Sequence, residues 1–357
     1  MKTSNSDKRL KIFKLFSKNL GWVKDHPEIS FKPDFENGFI CPLCFNLFSE
    51  KDLDLSLDNH LTLEDVPPKS LGGKPTTLTC KDCNSKSGHS LDNNLLNRLL
   101  EIDADSFLPN SKTKAKFKLS DNIVNGFIEV DKKGTLNINL QSKRSNPKDS
   151  AKFMDEMFPP RTIYNPIFYP EKMFENGYKS PEFNLEFLKK ANERKAEVAL
   201  LRIGYLLAFS AFGNGFLINS GLYKVREQIL NPEKEIIPKV FWLPIELPAE
   251  REGINIVTLP EELRCFLIVF SLKTKSQSRQ FSIVLPGPTD PGIKVYDFIL
   301  NELCVGDGTT FLDGMTENID TADFLKYEKF AFASQYFWQK NTASDYKPNL
   351  PPDESIA

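Results

Sequence analysis

The sequence predicts an α+β fold: a small zinc-stapled ββα module near the N-terminus, then a mixed α/β region whose fold is not specified. Three observations carry that expectation. Two Cys-x-x-Cys pairs, Cys41/Cys44 and Cys80/Cys83, bracket a short stretch with strand-like runs. Residues 116–140 alternate apolar and polar side chains, the period of half-buried strands. Residues 183–212 carry the longest helical pattern of the chain.

Residues 1–37 read as a basic helical extension. Ile12, Phe13, Phe16 and Leu20 share one helix face, and Lys11, Lys14 and Lys18 share another. Such a lysine stripe is the ordinary solvated face of a packed helix; the alternative is an arm that contacts phosphates. His26 falls in a loop.

Residues 38–110 form the module. Leu61-Thr62-Leu63-Glu64 is strand-like and ends on the acidic pair Glu64-Asp65. Pro67-Pro68 stops that run and Gly72-Gly73 allows a tight loop. Thr76 to Thr79 is a second run that leads into Cys80, and a helix starts at Cys83-Asn84. Strand, loop, strand and helix with cysteines at the base make a ββα arrangement.

Residues 111–341 are read as a mixed α+β region of unknown role. A β-meander covers 115–141, broken at Asn125-Gly126 and Lys132-Lys133-Gly134. A linker follows over 141–150, then a short helix, then a proline-rich extended connection over 158–182. The long core helix over 183–212 comes next, with a further helix near 221–229. Strands are expected within 240–285, at 240–245, 254–259, 265–272 and 280–285, and a helix at 295–303. The polar, proline-containing tail 342–357 is expected to be disordered.

Composition narrows the function classes. A net charge of −2 does not draw a polyanion to the whole protein, so any nucleic-acid surface must be a local patch. Phe is abundant at 29 against 3 Trp, which points to aromatic-rich cores. The best membrane candidate, Val198 to Ile218, is interrupted by Arg202 and by Gly213-Asn214-Gly215, and reads as a buried core helix. With no signal peptide either, the expectation is a cytoplasmic protein with no membrane partner. The oligomeric state stays open, a homodimer included.

Two thiolate pairs on tight knuckles suit structural zinc, which takes four soft or borderline ligands in a tetrahedron. Cys41, Cys44, Cys80 and Cys83 are therefore the expected zinc ligands. Cys265 and Cys304 stand in apolar surroundings and are expected to be buried small hydrophobes.

At these residues the sequence resembles the HNH endonuclease family. The closest likeness is to the branch whose core reads Cys-x-x-Cys, Glu-His-x-x-Pro, Leu-Gly-Gly, Cys-x-x-Cys-Asn and a later Gly. Glu64, Pro67 or Pro68, Leu71-Gly72-Gly73, Cys80, Cys83, Asn84 and Gly88 match that pattern as they stand. The resemblance covers about residues 38–103.

The resemblance implies a treble-clef-like ββα-metal nuclease module that hydrolyses phosphodiester bonds, with double-stranded DNA as partner. It implies Mg²⁺ or another catalytic divalent ion and a general base that activates water. Glu64 falls where a metal ligand is expected, and Asn84 on the helix residue facing the metal. Asp65 stands where the family carries its base histidine, and a carboxylate near pKa 3.9 is a weak base unless its surroundings raise it. Adjacent strand residues point to opposite faces, which separates Asp65 from Glu64.

Two histidines could supply an imidazole. His60 alternates with Thr62 and Glu64, and His89 follows Asn84 by five residues beside Gly88. The candidate catalytic set is Asp65, His89, Asn84, Glu64 and His60, with Glu64, Asn84 and His89 around the catalytic ion. Asp92 either contributes a carboxylate to the site or starts the next helical run, and the second reading is preferred. Lys69, Lys74, Lys81 and Lys86 are candidate phosphate contacts. By analogy the family suggests bacterial restriction or phage defence. The competing expectation is a zinc-stapled nucleic-acid-binding protein with a degenerate, inactive nuclease site.

Overall fold

The computed structural model describes residues 4–32, 34–157, 182–243, 247–288, 290, 294–304 and 315–335, apart from the side chains of Ser87, His89 and Ser142. Most of the proline-rich connection and the whole 342–357 tail lie outside them. The chain is mixed α+β with antiparallel sheets, and its elements follow in this order. Helix α1 is Asn5–Lys24, followed by strands β1 (Phe39–Ile40), β2 (Leu47–Phe48), β3 (Leu61–Val66) and β4 (Lys74–Cys80). Helices α2 (Lys81–Ser87) and α3 (Asn93–Asp105) lead to β5 (Lys112–Leu119), β6 (Asn122–Val130), β7 (Leu136–Leu140), α4 (Pro147–Met157) and β8 (Asn184–Phe187). Helices α5 (Glu193–Phe212) and α6 (Tyr223–Leu230) precede β9 (Trp242–Leu243), β10 (Gly253–Leu259), β11 (Cys265–Lys273), β12 (Ser278–Pro286) and β13 (Met315–Ile319).

Two compact units divide the chain. The first comprises Met1–Leu95, Asn192–Lys273 and Ser278–Ala357; the second comprises Leu96–Ala191 and Thr274–Gln277. The cysteine module, the long helix and the later strands thus belong to one unit.

In the first unit, α1 starts on a capping box in which the Ser4 hydroxyl accepts from the Asp7 amide and the Asp7 carboxylate accepts from Ser4. Phe13, Phe16 and Leu20 are buried while Lys11, Lys14 and Lys18 are exposed, as their helical spacing dictates. Phe16 stacks on Phe209 of α5 at 5.0 Å and meets Phe39 edge-on at 5.6 Å, an aromatic core of the kind the Phe count implies. Each such ring, fully buried, contributes about 2–3 kcal/mol.

The later strands form one antiparallel sheet in the order β13-β10-β11-β12-β9. Helix α5 touches this sheet through β11 and β12 and also touches β3 and β4. Close approach to the sheet requires Gly204: a Cβ there would stand 2.8 Å from the Ile283 side chain. No helix among the described residues is long and apolar enough to cross a membrane.

The second unit is a sheet in the order β7-β6-β5-β8 with α4 against one face. Phe153 of α4 is buried with Ala115, Phe117, Leu119, Val124 and Ile128, the inward positions of the alternating runs. The helix expected over 183–212 needs correction. Residues 184–187 pair with β5 as a strand, and α5 begins only at Glu193, where the Asn192 side chain accepts from the Lys195 amide. Cys304 is a second correction, because it is exposed while Cys265 is buried. It ends a π-helical turn at a surface whose residues 301 and 302 are also exposed.

Candidate metal centre and acidic site

The β1–β2 hairpin carries the first knuckle. A bond from the Cys41 amide to the Asn46 carbonyl and one from the Phe45 amide to the Cys41 carbonyl wrap the chain around Cys41 and Cys44, with Phe45 in the left-handed region at φ 63°. Cys80 ends β4 and caps α2, and Cys83 lies in the first turn of that helix. The four sulfurs all lie within 4.8 Å of one another, and Cys44 Sγ is 3.7 Å from Cys80 Sγ. A tetrahedral zinc with Zn–S bonds near 2.3 Å separates its sulfurs by about 3.8 Å. These cysteines can hold a metal ion, and their set suits structural zinc. Hydrogen bonds among the thiols push Cys44 down and bring Cys80 to about 7, while they push Cys41 and Cys83 up. A divalent ion held at their centre would let all four ionise together.

Strands β3 and β4 pair antiparallel from Leu61↔Cys80 to Glu64↔Thr77, then slip, so that Asp65 faces Pro75 and Thr76 is the extra residue of a bulge. The glycine loop between them folds back tightly. Gly72 has φ 96°, and a Cβ on Gly73 would fall 1.5 Å from the Pro67 carbonyl oxygen.

On one face of this hairpin the buried polar residues are Glu64, Thr77 and Thr79. Glu64 Oε2 accepts from the Thr79 hydroxyl at 2.7 Å, and Oε1 accepts from Arg202 Nη2 at 2.6 Å. Arg202 Nη1 donates to Asp92 Oδ1 at 3.2 Å. Arg202 and Glu64 are 1% and 3% exposed, so this is an ion pair sealed from water. Asp92 is brought to it by a π-helical turn, Gly88–Asp92, inserted between α2 and α3.

Helix α5 positions this cation. Tyr205 donates to the Pro42 carbonyl at 2.8 Å, and Ser210 donates to the hydroxyl of bulged Thr76 at 3.1 Å. Arg202, Tyr205 and Ser210 therefore fasten one helix stripe to the first knuckle and to both strands. In the sequence Arg202 stands out only as an interruption of an apolar run. The signal was there: an arginine inside a buried helix requires a carboxylate partner.

The other expected site residues are placed differently. Asn84 is half-buried on α2, and its Nδ2 donates to Thr62 Oγ1 at 2.8 Å and to the Leu63 carbonyl at 3.3 Å. Asp65 is half-buried, and its carboxyl is raised above its usual range by burial and then by Glu64, against the pull of Lys69 and Lys8. His60 is buried just before β3, with Nδ1 2.8 Å from the Leu57 carbonyl. The His89 side chain lies outside the described residues. Lys69, Lys74, Lys81 and Lys86 are all exposed. A polar cleft of about 430 Å³ opens beside Asn84, lined by Thr62, Lys81, Ser85, Gly88 and Asn93.

Burial pushes the Asp92 carboxyl up to about 6, outweighing the neighbouring Arg202. A carboxyl raised in the fold stabilises most below its unfolded pKa, and that contribution disappears as pH climbs through the folded value. Stability is expected to fall by about 2 kcal/mol between pH 4 and 7 from this group. Urea midpoints across that range test it: Asp92→Asn should flatten the curve, and an unchanged slope would contradict the assignment.

No protein-family model, curated protein or solved structure matches the chain.

Proposed function

We propose that this chain engages DNA through an HNH-type ββα module stapled by zinc at Cys41, Cys44, Cys80 and Cys83. The hairpin-and-helix arrangement over the four-cysteine cluster supports this, with Asn84 beside an open polar cleft and Lys81 on its rim. Of the two forms of this reading, the one favoured here is a nucleic-acid-binding protein whose acidic site no longer takes a catalytic ion. Arg202 carries that preference. It holds Glu64 and Asp92 from inside the fold, and Glu64 has both oxygens engaged by protein donors. A divalent ion there would be repelled by the guanidinium and would have to displace it. The Asp65 carboxylate adds no base to that locus, since strand alternation sends it to the opposite face, toward Lys8 and Lys69.

The second form is a metal-dependent endonuclease that hydrolyses phosphodiester bonds in DNA, as in restriction or phage defence. One observation favours it: the Asn84 amide nitrogen is used on β3, which leaves Oδ1 as a ligand beside a cleft open to a phosphate. In that form Asn84, Glu64 and His89 would hold Mg²⁺ or another divalent ion, which would stabilise the leaving oxygen.

Zinc-loaded protein incubated with supercoiled plasmid in Mg²⁺, Mn²⁺ or Ni²⁺ separates the two forms. Retarded but uncut plasmid is the expected result. Nicking that Asn84→Ala reduces by about 10²-fold or more would establish the nuclease form instead. A zinc-loaded protein that fails both to bind and to nick the plasmid would overturn the proposal.

A further inference from the structure

We infer that the second unit presents a nucleic-acid backbone surface on the face of its sheet opposite α4. The inference rests on the DNA reading above and names a surface it left unassigned. Strand β5 reads KTKAKFKL. Ala115, Phe117 and Leu119 point into the core against Phe153, so alternation places Lys112, Lys114, Lys116 and Lys118 together on the outer face. Same-face residues on a strand recur every ~6.8 Å, which lays the four cations in a straight row about 20 Å long.

Register fills in the rest of this face. Phe127 lies opposite Lys114, Asn125 opposite Lys116, and Asn139 of β7 opposite Phe127. The Lys112 ammonium sits 4.0 Å from the Phe127 ring centroid. Lysines, amide groups and an aromatic ring on one sheet face are the groups that contact phosphates and stack on bases.

Two carboxylates share the face. Glu129 pairs with Lys112 at 2.8 Å, and Glu186 of β8 lies 2.5 Å from Lys118 and 3.5 Å from Lys116. Lys114 has no carboxylate within ion-pair distance among the described residues. Four lysines against two glutamates leave an excess of two positive charges in a chain whose net charge is −2. The existing pairs join partly exposed groups, where ion pairs are weak and readily exchanged for phosphate oxygens. Charge complementarity therefore selects a polyanion, and the amide groups and ring select nucleic acid over a lipid surface.

The test is fluorescence anisotropy of labelled duplex and single-stranded 20-mers with full-length zinc-loaded protein, across a salt series. Lys114→Ala/Lys116→Ala/Lys118→Ala should weaken binding at least 10-fold and reduce the slope of log K against log salt by about 2–3. Lys11→Ala/Lys14→Ala/Lys18→Ala on α1 should leave both unchanged. Wild-type binding that survives the β5 triple variant, with its circular dichroism intact, would overturn this surface alone. Wild type that binds no nucleic acid would overturn the DNA reading as well. Loss of binding to phosphatidylserine vesicles with DNA binding unaltered would assign the lysine row to a membrane and overturn the inference.

Discussion

Arg202→Met is expected to cost about 3–5 kcal/mol, the largest effect of any single substitution outside the cysteines. Removing the guanidinium leaves Glu64, 3% exposed, as a buried charge with the Thr79 hydroxyl as its remaining partner. Methionine keeps most of the volume, so the loss reports charge and hydrogen bonding more than packing. The combined Arg202→Met/Glu64→Gln variant is expected to recover much of it, because a neutral amide can still accept from Thr79 and no longer needs a cation. Urea unfolding of the wild type, the two single variants and the double variant gives the coupling directly. A double variant no better than Arg202→Met would show that the arginine acts through packing.

Loss of the zinc ligands should be as severe. Structural zinc sites of this type contribute about 10–16 kcal/mol of apparent binding free energy, against a whole-domain margin of about 5–15 kcal/mol. A zinc ion held there would staple the β3–β4 hairpin, because Cys80 joins the end of β4 to α2 and Cys41 and Cys44 would join the first hairpin to both. Cys83→Ser, or prolonged chelation, is expected to remove one equivalent of zinc and abolish amide-exchange protection across residues 61–80. Freshly purified protein with no zinc, or a Cys83→Ser variant with protection intact, would refute the staple.

The parts of this architecture that were legible in the sequence are those written in local spacing. The two cysteine pairs announce a four-sulfur cluster because each knuckle is set by neighbours three residues apart. The β5–β7 meander is legible because Phe117, Val124 and Ile128 alternate with polar residues. Strand β8 was not: Asn184-Leu185-Glu186-Phe187 alternate polar and apolar residues, but four residues are too few to stand out beside the helical pattern that follows, and their strand is fixed by pairing with Ala115–Lys118. The Asn192 cap was a start signal for α5 that the longer helical pattern obscured.

The candidate site divides the same way. Asn84 and Glu64 are identified by short motifs, and the opposition of Glu64 and Asp65 follows from strand alternation alone. Arg202 stands 138 positions from Glu64, and only the packing of α5 across the hairpin reveals that it answers two carboxylates. The sequence favours Asp92 as a helix start over a carboxylate of the site, whereas the π-helical turn that it ends brings its carboxylate to Arg202. The first fact is tertiary and the second a local irregularity of the helix, and together they shift the reading of the site from an open metal ligand set toward a closed ionic cluster.

The central claim is that Arg202 supplies the positive charge which a catalytic ion would otherwise provide at Glu64 and Asp92. Titrating Mn²⁺ into zinc-loaded wild-type protein while recording the electron paramagnetic resonance of the free ion tests it most directly. The expected result is a free-ion signal that rises from the first addition as it does in buffer. Uptake of one Mn²⁺ per chain, lost in both Glu64→Gln and Asn84→Ala, would contradict it and show that the acidic site takes a divalent ion.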